Sequence, residues 1–148
     1  MGPAGGMAMR GAALMAGAVP APAATAGDVL PYAEEVREID EIRNGLATIA
    51  IGDKIRESCP AAAANWLRVW SFGRRLQSLA RRAGYSDAQI ERYVENDAEK
   101  AYYAALARRW LAERGVSGDD DADGHCRIAR EEIARGSRLG VLLWSQGS

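Results

Sequence analysis

The sequence predicts an all-α fold: a small four-helix bundle-like domain with one disulfide. Three observations predict it. Apolar residues recur at spacings of three and four along most of the chain. No alternating stretch is long enough for a useful strand, and no internal repeat is present. The chain carries two cysteines, Cys59 and Cys126, an even count that suits one crosslink. With 148 residues the chain holds one domain rather than two.

The first helix is expected over residues 33–58. Val36, Ile39, Ile42, Leu46 and Ile49 form one apolar stripe. Glu34, Glu35 and Glu38 crowd its first turns, where the helix dipole favours negative charge. Gly45 and Gly52 lie inside it; each costs about 1 kcal/mol relative to alanine and permits a neighbouring helix to approach. Pro60 ends this helix and opens a second over residues 61–83. There Trp66, Val69, Trp70, Phe72, Leu76, Leu79, Ala80 and Ala83 share one broad face, and Gly84 is the stop. Ser86 with Gln89 three residues on is a capping-box signature for a third helix, which runs to about Arg114. A loop follows over residues 116–124. A fourth helix spans residues 125–135 with Ile128, Ala129 and Ile133 inward, Gly136 breaks it, and residues 139–144 make a last apolar turn.

Residues 1–26 read as a signal peptide and residues 27–148 as a single helical domain. Arg10 precedes a short apolar run over residues 11–19, and Ala24, Thr25 and Ala26 offer an A-x-A cleavage site. The run is too short to span a bilayer, and no later segment has 18 consecutive apolar residues. The expected address is the periplasm, with cleavage near Ala26. In that oxidising place Cys59 and Cys126 pair, closing a long loop and stabilising the fold by about 4 kcal/mol. The competing reading is an Ala/Gly/Pro tail on a cytosolic protein with two buried thiols.

Several function classes are excluded by composition. One histidine rules out multi-histidine metal sites, and two cysteines rule out zinc ribbons and iron–sulfur clusters. A net charge of -1 does not suit a general nucleic-acid binder, so no nucleic acid is expected as a partner. No nucleophile triad, phosphate-cradling glycine loop or helical H-E-x-x-H occurs, so no enzyme activity is expected. A carboxylate pair suited to glycoside chemistry stays open. His125 beside Cys126 makes a poor nucleophile–base pair, because neighbours on a helix point about 100° apart.

Two features could carry function. The first is an arginine face on the second helix: Arg68, Arg74, Arg75, Arg81 and Arg82, placed opposite the tryptophans in a stretch with no acidic residue from Ser58 to Ser86. It reads as a docking surface for phosphate, for the headgroups of an anionic membrane surface or for an unknown acidic protein partner. The simpler reading is internal balance, if an antiparallel hairpin sets it beside Glu34, Glu35, Glu38, Asp40 and Glu41. The second is the acidic loop with Asp119, Asp121 and Asp123 before Gly124, which matches the opening half of a calcium loop. Its twelfth position is Arg130, where a bidentate glutamate belongs, and Glu131 is one residue late. A weak calcium site and a solvated loop near a helix start are the two readings. No cofactor beyond that calcium is expected. Trp66, Trp70, Trp110 and Trp144 read most simply as core or core-edge anchors. An exposed subset would instead favour a partner groove.

The chain also resembles a family. Asp53-Lys54-Ile55-Arg56 with Cys59-Pro60, Arg82-Ala83-Gly84-Tyr85-Ser86-Asp87, Tyr93-Val94-Glu95, Glu99-Lys100, Cys126, and Glu132-Ile133-Ala134-Arg135-Gly136-Ser137 are similar to a domain-of-unknown-function family of small exported alphaproteobacterial proteins. The resemblance runs from about Ile39 to Leu143. It implies a helical fold, the two cysteines and a periplasmic address, and no activity. The run from Asp119 to Asp123 departs from it. The reading that follows is an exported accessory or interaction protein without catalytic activity, or alternatively a weak calcium-binding protein.

Overall fold

Seven helices and two three-residue strands make up residues 29–145, which are those the computed structural model describes. The signal-peptide reading of residues 1–26 lies outside them. The helices are α1 (Ala33–Arg37), α2 (Asp40–Ser58), α3 (Trp66–Arg82), α4 (Asp87–Glu95), α5 (Asp97–Ala112), α6 (Ala122–Arg135) and α7 (Arg138–Val141). The strands β1 (Ala62–Ala64) and β2 (Leu143–Ser145) pair antiparallel. The fold is all-α with four long helices, α2, α3, α5 and α6, as the apolar periodicity predicts.

All four expected helices depart from their expected bounds. The first is broken at Ile39, which is extended (φ -83°, ψ 99°). The break lets α1 bury Ala33 and Val36 while α2 turns Ile42, Ile51 and Ile55 inward. Leu46 and Ile49, expected in the core stripe, are only half-buried. The second helix begins later than Pro60 suggests. Its alanines form β1 instead, and Asn65 caps α3 by accepting from the Arg68 N–H at 3.3 Å. Four successive alanines carry no apolar period, so the strong cap decides the start. The third helix is two. Asn96 ends α4 and caps α5 through the Glu99 N–H at 3.0 Å. The Ser86–Gln89 capping box forms as expected. The fourth helix starts at Ala122, three residues early, because Asp121 caps it.

Gly136 closes α6 in the left-handed region (φ 63°), where a side chain would be strained. Gly45 has the other role. A Cβ there would stand 2.6 Å from Leu76 Cδ2, so its absence lets α3 lie close on α2. Gly52 has no such role, since its nearest neighbour would be Leu139 at 3.7 Å.

The helix α2 is the centre, packed on α5, α6 and α3. Two apolar clusters hold it. One gathers Ile55, Ala107, Leu111, Ile128 and Leu139. The other gathers Leu30, Val36, Ile42, Tyr93 and Tyr103. The disulfide Cys59–Cys126 joins the end of α2 to the second turn of α6 with Cα atoms 5.2 Å apart. Among the described residues no helix is long and apolar enough to cross a membrane.

Candidate functional site

Helix α3 sends one narrow face inward. Leu76 and Ala80 are buried, and Val69, Phe72 and Leu79 are half-buried. Trp66, Leu67 and Trp70 are 63%, 73% and 59% exposed. This corrects the reading of Trp66 and Trp70 as core anchors. At about 100° per residue they fall roughly a quarter-turn or more from Leu76, off the side that meets α2. Trp144 is 56% exposed as well, because β2 alternates and buries Leu143 instead. Its backbone pairs with Ala63, three residues before Trp66, so it sits at the same end of the molecule. Only Trp110 packs against the core, with the Arg114 guanidinium 3.6 Å from its ring centre.

The five arginines divide. Arg75 donates to Glu41 at 3.1 Å, and Arg81 grips Asp87 with two bonds of 2.7 and 3.2 Å. That hydrogen-bonded pair holds the Asp87 carboxyl below its usual range. Internal balance therefore accounts for two of the five. Arg68 donates to the Val141 carbonyl at 3.3 Å and Arg82 to the Ser78 hydroxyl at 2.9 Å. Arg74 stands 5.1 Å from the Trp70 ring centre. Among the described residues none of these three has a carboxylate partner. Arg74 and Arg81 thus share the tryptophan side of α3 instead of opposing it. The acids of the first helix go mostly elsewhere: Glu35 accepts from the Tyr85 hydroxyl and Asp40 pairs with Arg43.

The acidic loop is held apart by other partners. Asp121 accepts from the Ser117 and Gly124 N–H groups, both at 2.9 Å. These backbone donors pull its carboxyl below the usual range. Asp119 faces Arg108 at 3.3 Å and Lys54 at 3.7 Å. Asp123 is exposed in the first turn of α6. Among the described residues no three His, Cys, Asp or Glu side chains are grouped to hold a metal. His125 lies within the first turns of α6, buried, with Nδ1 2.7 Å from the Asp121 carbonyl oxygen.

A cleft of about 910 Å³ lies over α2, walled by α3 on one side and by α4 and α5 on the other. Its lining is mainly aliphatic and aromatic, with Leu46, Ile49, Leu76 and Ile90 among the apolar side chains. Polar groups at its base are satisfied among themselves. The Tyr93 and Tyr103 hydroxyls are 2.8 Å apart. Glu99, buried, takes two bonds from Arg37, one of them from Nε at 3.1 Å, and Arg37 lies 4.0 Å from the Tyr102 ring centre. Burial first, then the Glu99 carboxylate and the Tyr103 hydroxyl, push the Tyr93 phenol well above its usual range.

Residues 34–144 match a family of unknown function, DUF5333. The chain belongs to DUF5333. This bears out the resemblance to an uncharacterised family. No curated protein and no solved structure matches the chain. The DUF5333 segment takes in both cysteines, the whole of α3 and every side chain of the cleft except Tyr32. Sequence reasoning about this DUF5333 chain misses the cleft and the Arg37–Glu99 pair. One signal for the pair is present: Glu99 begins the series Glu99, Tyr103, Ala107, Leu111, spaced by four and buried throughout. A carboxylate at an apolar position of that register calls for a cation from elsewhere in the fold.

Proposed function

We propose that this DUF5333 protein is an exported, periplasmic interaction protein without catalytic activity, and that it docks a protein partner through the outer face of α3. The observation that carries the reading is the exposure of Trp66, Leu67 and Trp70 within the first two turns of α3. Large apolar side chains grouped on a surface mark contact sites more often than they serve stability. Tryptophan and arginine are also the residues most enriched among those that dominate binding energy. Arg74, 5.1 Å from the Trp70 ring centre, has no carboxylate partner among the described residues, so an acidic group on the partner suits it. The crosslink Cys59–Cys126 is what an oxidising compartment allows.

A photo-crosslinking residue at Leu67 in the native envelope tests the surface. The expected result is one dominant adduct that Trp70→Ser or Arg74→Glu weakens at least tenfold. A crosslinker at exposed Arg130 on α6 is the control and yields no such adduct. Equal labelling from both positions, or an adduct unchanged by either substitution, overturns the reading. Intact mass of the native protein tests export separately: the expected chain starts at Gly27, and an uncut Met1 terminus refutes it.

A further inference from the structure

We infer that the cleft over α2 is a binding site for an elongated aliphatic molecule with a positively charged head group. Trp66, Leu67 and Trp70 are not among its lining residues, and the inference does not rest on the docking reading. Three observations lead to it. The volume, about 910 Å³, lies within the range of small-molecule sites, roughly 300–1,000 Å³. The polar atoms at the base are already partnered: Tyr93 with Tyr103, and Glu99 with Arg37. An occupant therefore loses nothing by offering them no hydrogen bond, and an apolar body is the best fit there.

Charge selects the head group. The ionised side chains in the lining are Asp53, Glu57, Asp87, Glu91 and Glu99 against Lys100 alone. Arg56, Arg81 and Arg37 neutralise Asp53, Asp87 and Glu99. Glu57 and Glu91 have no ion pair among the described residues, so the remaining balance is negative. The rings of Tyr32 and Tyr85, 5.8 Å apart, line the same cleft and add faces that attract alkylammonium groups. A fatty carboxylate would meet like charge at the rim; a fatty ammonium meets opposite charge and aromatic rings.

The test is calorimetric titration of the full mature chain with dodecyltrimethylammonium, dodecanoate and dodecyl maltoside, each below its micelle-forming concentration. The expected result is saturable binding of the ammonium probe, one per chain, about tenfold tighter than dodecanoate. Ala104→Phe narrows the cleft from α5 and should weaken the ammonium probe at least tenfold. Glu57→Lys/Glu91→Lys changes only exposed rim positions, so it carries the test even if Ala104→Phe melts early. It should reverse the order of the two charged probes, with dodecanoate then binding the more tightly. Trp70→Ser on the outer face should leave binding unchanged. No saturable binding overturns the inference. So does dodecanoate binding as tightly as the ammonium, full binding by a folded Ala104→Phe chain, or loss of binding in Trp70→Ser.

Discussion

Deleting the Cys59–Cys126 crosslink should cost this protein most of its margin of stability. The bond closes a loop of 67 residues between the end of α2 and the start of α6. On the chain-entropy relation such a loop withholds about 14–15 cal/mol/K from the unfolded chain, or about 4 kcal/mol at 25 °C. Cys59 is fully buried, so replacing its sulfur leaves a small void that adds about 1 kcal/mol. A folded unit of ~120 residues unfolds with an entropy of about 0.25 kcal/mol/K, so the melting temperature should fall by roughly 15–20 °C. The assay is urea unfolding followed by far-ultraviolet dichroism, comparing the oxidised chain with Cys59→Ala/Cys126→Ala. The slope with urea should also rise, because the uncrosslinked unfolded chain exposes more surface. A loss below about 1 kcal/mol with an unchanged slope would refute the reasoning, since both effects come from the same constraint.

Arg37→Met should destabilise by about 2–3 kcal/mol, less than a fully buried pair because Arg37 is a third exposed while Glu99 is not. Adding Glu99→Leu should recover part of that loss in the same urea assay, and no recovery would mean that the pair is not the cause. Asp121→Ala removes the α6 cap and the Ser117 contact and should cost about 1–2 kcal/mol by thermal melting. The folded Asp121 carboxyl is held below the ordinary aspartate range, so its contribution is complete above that range and fades as pH falls through the lowered value. Wild type should therefore lose more stability than Asp121→Asn between neutral and strongly acid pH, and parallel curves would contradict this. Trp66→Ser and Trp70→Ser should each change stability by less than about 1 kcal/mol, whereas Leu76→Ala, on the buried face of the same helix, should cost about 2–4 kcal/mol.

What could be seen in the sequence was local chemistry with a single meaning. Ser86 with Gln89 can hardly be anything but a helix start, and Gly84 and Gly136 both adopt the positive φ that a helix stop requires. The pairing of two lone cysteines is equally legible. The face of α3 was not. Spacings of three and four say which residues share a side of a helix, and Trp66 and Trp70 do lie together; they do not say which side a neighbour covers. Burial there is decided by α2, through Gly45 and Leu76, and that approach is a tertiary fact. Asn96 was readable in principle, an N-cap three residues before Glu99, but the apolar pattern running through it suggests one helix. The Arg37–Glu99 pair spans 62 residues and leaves only half of its signature, a carboxylate in an apolar register. The cleft leaves none, since Leu46 and Ile49 look like core in any window.

The distribution of fastenings bears on how the two proposed sites can be told apart. The disulfide ties α2 to α6, and Arg37–Glu99 ties α1 to α5. Neither reaches α3. That helix rests on α2 through Leu76, with Phe72 alongside, and on the exposed Arg75–Glu41 pair, worth at most about 1 kcal/mol. Its tryptophans are exposed, while Gly73, Leu76, Gln77 and Ala80 wall the cleft, so the two surfaces adjoin along one helix. A substitution that loosens α3 would disturb both surfaces and could be mistaken for evidence of either. The decisive changes are therefore those that spare the α2–α3 contact: Trp70→Ser, which lies outside it, and Ala104→Phe, which fills the cleft from α5. If each abolishes only its own interaction, the two surfaces are independent. If Trp70→Ser leaves the melting temperature unchanged yet empties the cleft, the outer face is itself the ammonium site, and the apolar volume over α2 is only loose packing.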